Sequence, residues 1–348
     1  MRAHLRPERV YGMVKTKHMF GWSAMSDAVY EPIRVKTMLN AVRAPSMPFS
    51  WSMNPYKGCR HGCSFCYARY FHTYMGEKAN DRFQNHIYVK ENAAEALEAQ
   101  LRRLASRPRG LAGVGPVAIG TATDPYQPRE AKERITRRCL EVLAEYGISA
   151  SITTRSPLVL RDADILRKLP SVTVNISVNT LNPAVWRAFE PHSPRPDKRL
   201  EAVRRLNDAG IRAGVFLAPI LPLITDGKSC LNAVVERAAE AGAAFVAPSV
   251  LRLATPEVKA WFFRALRRYN ARLVDRYADL YDRSAHPPAS YRAAVLGAVE
   301  AALRRVGLPP GAAVDEAEPQ DTASPATAAS DESPADSGAQ PVQLCLPI

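Results

Sequence analysis

Residues 53–70 read MNPYKGCRHGCSFCYARY and place Cys59, Cys63 and Cys66 on one short stretch with C-x3-C-x2-C spacing. Three thiolates on a single tight loop can bind three corners of a cubane iron–sulfur cluster. The fourth iron of such a cluster then has no protein ligand and is open to a small molecule. The spacing therefore predicts that these three cysteines are the metal ligands of a 4Fe-4S cluster.

A structural zinc ion is the alternative interpretation of the same cysteines. Zinc sites usually close with four ligands, often from two C-x2-C pairs or from added histidines. The sequence has no second cysteine pair, so the fourth ligand would have to be His61, His72 or His86. Under this alternative the chain is a zinc- or cluster-stabilised nucleic-acid-binding protein without catalysis.

Outward from the cysteine loop, short β-rich runs alternate with amphipathic helical segments, a pattern typical of a parallel sheet covered by helices. Six such units predict an α/β fold: a partial (βα)6 TIM-type barrel with the cluster loop after its first strand, because a complete barrel has eight units. The predicted strands are 50–54, 116–123, 149–154, 172–178, 212–218 and 243–250. The predicted helices lie near 92–106, 129–146, 161–169, 197–209, 228–241, 255–282 and 290–306.

The chain divides into four predicted regions. Residues 1–49 form a basic N-terminal extension, and residues 50–254 form the barrel core. Residues 255–308 form a C-terminal helical extension. Residues 309–348 are rich in Pro, Ala, Ser and acidic side chains and are predicted to be a disordered tail.

The charge is distributed unevenly along the 348 residues, which carry 47 Lys and Arg against 34 Asp and Glu, a net charge of +13. Seven of the acids lie between Asp315 and Ile348, where there is no Lys or Arg, so residues 1–314 alone carry +20. A body this basic favours a polyanionic partner such as DNA. An arginine- and alanine-rich composition inherited from the genome explains the charge equally well.

No secretory signal or membrane anchor is predicted. The N-terminus lacks an apolar h-region, and the longest uncharged apolar run, residues 213–225, is interrupted by Pro219 and Pro222. Such a run is too short and too broken to cross a bilayer. The predicted location is cytoplasmic, with no membrane partner.

The cysteine motif and its flanks resemble the signature of radical S-adenosylmethionine (SAM) enzymes. Phe65 precedes the last cysteine and Tyr67 follows it, and residues 54–69 read N-P-Y-x-G-C-x-H-G-C-x-x-C-Y-A-R. This flank is similar to the spore-photoproduct-lyase-like branch, whose members are often labelled DNA repair photolyases. The resemblance extends over about residues 50–270, because the strand ends also fit.

The resemblance implies a partial (βα)6 barrel and two cofactors, a 4Fe-4S cluster and SAM. SAM then binds the open iron. One electron from the cluster cleaves SAM to a 5′-deoxyadenosyl radical, which abstracts hydrogen from a substrate. An electron donor such as flavodoxin or ferredoxin is implied as a partner. The implied reaction is the repair of a DNA lesion, and radical chemistry on a small molecule or a peptide is the alternative.

The resemblance also implies SAM contacts at the carboxyl ends of the strands, where chemistry gathers in parallel βα folds. Thr123 and Asp124 match the position that contacts the SAM amino group, and Arg155 stands where relatives often carry a lysine for the SAM carboxylate. Ser177 and Asn179 point to the same face of a strand and suit ribose hydroxyls. Further expected site residues are Tyr67, Pro219 and Asp226, with Glu190 and Arg195 either at the rim of the site or in an exposed salt bridge.

One departure from the branch concerns the hydrogen donor. Spore photoproduct lyase uses a cysteine in the loop after the second strand, where this chain has Ala122. Cys139 falls on a predicted helix and is predicted to pack in the core. Repair of thymine dimers by that mechanism is therefore not expected, and Tyr126 is the candidate catalytic residue, as a substitute radical relay.

The last six residues, QLCLPI, are similar to the short peptides that dock bacterial replication and repair proteins on the DNA sliding clamp. A polar anchor followed by apolar side chains on a flexible tether suits insertion into a groove. The sliding clamp is therefore an expected partner, and an idle apolar chain end is the alternative. The expected contact residues are Gln343, Leu344, Leu346 and Ile348.

Overall fold

The computed structural model of the protein describes residues 28–311, apart from 44–46, 48, 77–78 and 109. The predicted acidic tail beyond residue 311, with Gln343, Leu344, Leu346 and Ile348, lies outside the described residues. Most of the predicted N-terminal extension also lies outside them.

Two sheets are formed by the strands of the described residues. The strands are β1 (Val29–Ile33), β2 (Asn40–Ala41), β3 (Trp51–Met53), β4 (Tyr56–Lys57), β5 (His86–Lys90), β6 (Val117–Ile119), β7 (Ala150–Thr154), β8 (Val172–Ser177), β9 (Arg212–Ile220) and β10 (Val246–Val250). The larger sheet has the order β10-β9-β8-β7-β6-β3-β2. Its strands from β10 to β3 pair in parallel, which confirms the predicted α/β fold with six parallel strands.

Helices follow the parallel strands as the sequence periodicity predicts. Within the described residues they are α1 (Arg82–Asn85), α2 (Ala93–Ala105), α3 (Glu130–Glu133), α4 (Ile135–Glu145), α5 (Ala163–Leu166), α6 (Pro183–Phe189), α7 (Pro196–Asp208), α8 (Lys228–Glu240), α9 (Pro256–Asn270), α10 (Leu273–Leu280) and α11 (Ala289–Val306). Two 3-10 helices span Tyr67–Met75 and Pro157–Asp162. The helix α2 shows the packing rule: it buries Ala93, Leu97 and Leu101, which recur every four residues along one face.

The smaller sheet, with the order β1-β5-β4, was not predicted from the sequence. The strand β1 pairs in parallel with β5, and β4 pairs antiparallel with β5. The first cysteine follows β4 after one residue, so this sheet fixes where the cysteine loop begins. The strands are short and partly exposed, and such strands carry little periodic signal.

Two predicted helices are each divided in the structure, for a local reason in each case. The helix predicted over 129–146 breaks at Arg134, where φ is +52° and the Glu130 carboxylate accepts the Thr136 N–H at 3.0 Å. The helix predicted over 255–282 breaks after Asn270, whose side-chain oxygen accepts the Arg272 N–H at 3.1 Å. A side chain that captures a backbone donor in this way competes with continuation of the helix.

Across the part of the chain that the structure describes, no helix combines the length and the apolarity needed to span a bilayer.

Candidate functional site

The three cysteines lie on the loop between β4 and the 3-10 helix Tyr67–Met75. Cys59 and Cys63 are buried, and Cys66 is half-buried. The Cys59 N–H donates to the Phe83 carbonyl oxygen at 2.9 Å, and the Ser64 N–H donates to the Phe189 carbonyl oxygen at 2.9 Å. The loop is therefore held in place by α1 on one side and by the end of α6 on the other.

Gly58 makes this loop possible. Its φ is +83°, and a Cβ at this position would lie 2.8 Å from the Phe83 carbonyl oxygen, which is closer than real Cβ contacts. A residue with a side chain would have to push α1 away from the loop. The glycine thus lets the chain turn tightly before the first cysteine.

Burial controls the protonation of the three thiols. Burial raises the pKa of the Cys63 thiol to about 12, although the nearby Arg155 charge opposes this rise. Burial raises the pKa of the Cys59 and Cys66 thiols as well, and the Arg69 charge opposes the rise at Cys66. The basic neighbours therefore do not stabilise the thiolates on their own. Binding to iron would remove the proton, as metal binding generally does for cysteine ligands.

The histidines considered as fourth ligands of a zinc ion have other partners. His61 Nδ1 lies 3.2 Å from Asp124 Oδ2, and His86 Nε2 lies 2.8 Å from Glu31 Oε2. The His72 ring packs against Phe83 with 5.1 Å between ring centroids. Among the described residues, no three His, Cys, Asp or Glu side chains converge on a single metal ion. A cubane does not need such convergence, because each cysteine binds a different iron.

The loop after β6 braces the cysteine loop through Thr123 and Asp124. The Thr123 hydroxyl donates to the Gly58 carbonyl oxygen at 2.5 Å. Asp124 accepts from the Thr154 hydroxyl at 2.6 Å and from the Arg155 N–H at 2.7 Å. Both side chains predicted to contact the SAM amino group are therefore engaged with the protein, and that contact stays a prediction.

The charge of Asp124 is stabilised inside the protein. Burial by itself would raise the pKa of this carboxyl, but His61 and the hydrogen bonds from Thr154 and the Arg155 N–H outweigh burial and lower it to about 2. Asp124 is thus an anion that joins the ends of β6 and β7 to His61 of the cysteine loop. Sequence reasoning missed His61 in this bracing role.

Arg155 at the end of β7 belongs to a buried chain of charges. Its Nε donates to Glu190 Oε1 at 2.8 Å, and Glu190 Oε2 accepts from Arg199 Nη2 at 2.7 Å. Glu190 and Arg199 are both fully buried, so the prediction that Glu190 lies at the rim is wrong. Arg195 is exposed and pairs with Asp197 at 3.0 Å, which agrees with the exposed salt bridge.

Arg199 was missed by the sequence analysis, although a signal for it exists. The helix α7 buries Pro196, Leu200, Val203 and Leu206, and Arg199 lies on the same buried face. A charged side chain on the buried face of a helix is rarely found without a buried partner of opposite charge. The residue that provides it, Glu190, lies before α7 in the loop that follows α6, so the pair is brought together by the fold.

Asn179, just after β8, has a buried amide with no hydrogen-bond partner. It is 2% exposed, and neither Oδ1 nor Nδ2 is hydrogen-bonded within the described residues. A buried polar group is almost always hydrogen-bonded, so an orphaned amide at a strand end points to a ligand. This observation fits the predicted SAM contact, since an amide can donate to and accept from ribose hydroxyls.

Four further predicted site residues are placed by the structure. Ser177 is buried at the end of β8, and Pro219 is half-buried near the end of β9. The Tyr67 hydroxyl donates to the Thr121 carbonyl oxygen, and Asp226 accepts from the Tyr291 hydroxyl. Their SAM contacts stay predictions.

Tyr126 and Cys139 are both fully buried in the main hydrophobic core. Burial, together with the nearby Asp162 carboxylate, raises the pKa of the Tyr126 hydroxyl. Burial raises the pKa of the Cys139 thiol to about 12. The radical-relay role of Tyr126 stays a prediction, and the structure places its side chain in the packed core.

The fold and the site define an iron–sulfur enzyme of the partial-barrel type, with three cysteines on the loop after the first parallel strand. The chain belongs to the Radical SAM superfamily, whose sequence profile matches residues 53–228. It therefore uses a 4Fe-4S cluster and SAM. Family membership also rules out the alternative of a non-catalytic zinc protein.

Relatives and solved structures agree with this assignment. An uncharacterized protein of Mycobacterium tuberculosis is 34% identical over 268 residues, which are 76% of each chain. The Radical SAM Nalpha-GlyT isomerase of Pseudomonas phage M6 is 25% identical over 230 residues, which are 65% of this chain and 45% of the phage protein. The structure of spore photoproduct lyase complexed with dinucleoside spore photoproduct superposes with a TM-score of 0.56 at 15% identity, and covers 80% of this chain and 79% of that chain. At this identity the last likeness shows the fold.

A first prediction follows from the orphaned amide. We expect Asn179→Leu to raise the free energy of unfolding of the SAM-free protein by about 1–3 kcal/mol, because it removes an unsatisfied buried amide. The same change should weaken SAM binding by about 10-fold, the equivalent of one lost hydrogen bond. Urea unfolding without SAM and equilibrium dialysis with labelled SAM measure the two effects.

Asn175→Leu is the matched control, because Asn175 is a buried amide on β8, four residues before Asn179, and its side chain is hydrogen-bonded. Its Nδ2 donates to Ser151 Oγ at 3.1 Å and to the Ile152 carbonyl oxygen at 3.3 Å. This variant should lose stability. If Asn179→Leu lost as much stability as Asn175→Leu, Asn179 would have a structural partner and no free amide for SAM.

Proposed function

We propose that this radical SAM enzyme abstracts hydrogen from DNA during repair of a lesion. The excess of positive charge carries the proposal: residues 1–314 have a net charge of +20. A protein with such a charge attracts a polyanion, and this attraction is largely independent of sequence. The shared fold with a spore photoproduct lyase that binds a dinucleoside spore photoproduct supports the same substrate class.

The chain's own residues have distinct roles in this reaction. Cys59, Cys63 and Cys66 would hold the cluster, and Arg155 and Asn179 would bind and orient SAM. When bound, the cluster and SAM together supply a 5′-deoxyadenosyl radical, which is the hydrogen-abstracting group. The buried strand ends exclude water from this place, which protects a reactive radical from side reactions.

The proposed lesion differs from the lesion that is repaired by an enzyme with a cysteine hydrogen donor in the loop after the second strand. Ala122 occupies the position of that donor, and its N–H donates to Asn54 Oδ1 at 2.8 Å. Cys139 is buried on α4 and is protonated at neutral pH, since burial raises the pKa of its thiol to about 12. We therefore propose a DNA substrate whose repair, after hydrogen abstraction, needs no hydrogen atom from a thiol of this loop.

Release of 5′-deoxyadenosine tests the proposed function. The reconstituted enzyme, a chemical reductant and SAM are incubated with no DNA, with intact DNA and with ultraviolet- or alkylation-damaged DNA. We expect damaged DNA to accelerate release by about 10-fold or more over the reaction without DNA, because substrate binding completes the site. Equal rates with and without DNA, together with acceleration by a peptide or a small molecule, would support the alternative substrate class and refute DNA.

We propose two protein partners on the basis of the sequence. A flavodoxin or a ferredoxin would supply the electron, and the sliding clamp would bind Gln343, Leu344, Leu346 and Ile348. Pull-down of the purified clamp by the full chain, compared with a chain that ends at Val342, tests the second partner. Equal retention of the clamp by both chains would refute docking.

A further inference from the structure

We propose that an exposed arginine face on α9 and α10 binds the phosphate backbone of the DNA substrate. The arginine face consists of Arg264, Arg267, Arg268, Arg272 and Arg276, all of which are exposed. This inference rests on the proposed function, since it takes DNA as the substrate. It adds the surface of the protein on which the DNA strand lies.

The arginine face carries a large excess of positive charge. From Arg264 to Arg276 the sequence contains five arginines and one acid, the exposed Asp275. Within the described ranges, none of the five arginines forms an ion pair. Their charges are therefore available to an anion from outside the protein.

Three exposed arginines on other helices are paired within their own helix. Arg102 lies 2.5 Å from Glu98 on α2, Arg204 lies 2.6 Å from Glu201 on α7, and Arg237 lies 2.5 Å from Glu240 on α8. On the other described helices, exposed arginines without an ion pair occur singly, whereas α9, α10 and the turn between them bring five together; the single ones are Arg103, Arg138, Arg187 and Arg205. The contrast therefore indicates a binding surface, and a polyanion is the ligand whose charge is complementary.

The arginine face borders the cysteine loop. The Trp261 ring of α9 lies 5.2 Å from the guanidinium carbon of Arg264 and 4.2 Å from that of the fully buried Arg69. Arg69 in turn donates to the Cys63 carbonyl oxygen at 3.4 Å. A strand bound on this surface would thus lie beside the loop that holds the cluster.

An exposed aromatic ring accompanies these arginines. Tyr269 is 37% exposed, and its ring centroid lies 5.2 Å from that of Phe189. The Phe189 carbonyl oxygen accepts the Ser64 N–H of the cysteine loop. Surfaces that combine arginines with an exposed aromatic ring bind nucleic-acid strands, because phosphates pair with the cations and bases stack on the ring.

Fluorescence anisotropy with a labelled single-stranded DNA, measured over a range of salt concentrations, tests the inference. The variant Arg264→Gln/Arg267→Gln/Arg268→Gln removes three charges from the arginine face. The control Arg102→Gln/Arg204→Gln/Arg237→Gln removes three charges from paired, exposed positions elsewhere. Both variants should bind iron and cleave SAM without DNA at the rate of the unaltered protein.

We expect the arginine-face variant to bind DNA about 10-fold or more weakly than the unaltered protein. Its plot of log affinity against log salt concentration should have a slope that is shallower by about 2, because each lost phosphate contact reduces the slope by about 0.7. The control should keep the original slope. Equal behaviour of the two variants, with DNA still bound by the unaltered protein, would refute the arginine face and leave DNA as the substrate.

Three further results would also overturn the inference. If the unaltered protein neither bound DNA nor released more 5′-deoxyadenosine with it, the proposed function itself would fail. If the full chain did not bind DNA and a chain without residues 312–348 did, the occupant of the arginine face would be the acidic end of this chain. Tighter binding of the matching RNA strand would assign the surface to RNA.

Discussion

Cys59→Ala, Cys63→Ala and Cys66→Ala should each yield a protein without a stable 4Fe-4S cluster and with no measurable release of 5′-deoxyadenosine. In the predicted assignment each cysteine binds a different iron of the cubane, so the loss of any one would leave a second iron without a protein ligand. Iron and sulfide content, the visible spectrum after anaerobic reconstitution, and 5′-deoxyadenosine release measure the outcome.

Two other cysteines provide the controls. Cys139→Ala removes a fully buried thiol from the main core, and Cys230→Ala removes an exposed thiol from α8. Both variants should keep the cluster and the SAM cleavage of the unaltered protein. A cysteine-loop variant that retained four irons and full cleavage would contradict the ligand assignment.

Glu190→Gln is expected to have the largest effect on stability. Glu190 is the single carboxylate between Arg155 at 2.8 Å and Arg199 at 2.7 Å, and both Glu190 and Arg199 are fully buried. A neutral amide would leave two guanidinium groups without a counter-charge and would turn an N–H towards one of them. Removing one partner of a buried ion pair costs about 3–5 kcal/mol in the free energy of unfolding.

The effect of Glu190 depends on pH in a defined direction. Burial by itself would raise the pKa of this carboxyl, but Arg199 and Arg155 outweigh burial and lower it below its ordinary value of 4.5. Because the folded-state pKa is the lower one, the stabilisation is complete above the ordinary value and is lost as the pH falls below it. Urea unfolding at neutral and acidic pH should show this loss in the unaltered protein and a weaker one in Glu190→Gln.

Glu201→Gln is the matched control, since Glu201 pairs with Arg204 at 2.6 Å on the exposed side of α7. An exposed ion pair contributes about 0–1 kcal/mol, so this variant should unfold almost as the unaltered protein does. A similar loss in both variants would show that the buried charges are not specifically coupled. A small loss at Glu190 alone would show that water reaches the two arginines.

Most of the barrel was predictable because its signals are local. The runs of β7 and β8 consist largely of β-branched residues, and these two strands were predicted to within one residue at each end. The helix breaks at Arg134 and after Asn270 were not predicted, because each depends on one side chain that captures a backbone N–H. The sheet of β1, β5 and β4 was missed because its strands are short and pair with partners far along the chain.

Part of the candidate site was also predictable from residue types. Arg155 and Asn179 follow strands at positions where the carboxyl ends of a parallel sheet converge, and the structure places both there. Glu190 was predicted either at the rim of the site or in an exposed salt bridge. Its burial follows from the packing of Arg199 on the inner face of α7, which no local pattern around residue 190 shows.

The sequence by itself predicted the three cluster ligands and the six parallel strands, because eight neighbouring residues hold all three cysteines and strand periodicity is a property of short segments. Only the tertiary structure decided which polar groups are satisfied. It paired His61 with Asp124 and Glu190 with two arginines, and it left the amide of Asn179 buried and unpartnered. The physical reason is that the partner of a buried polar group comes from another element of the chain, and the two elements meet only when the chain folds.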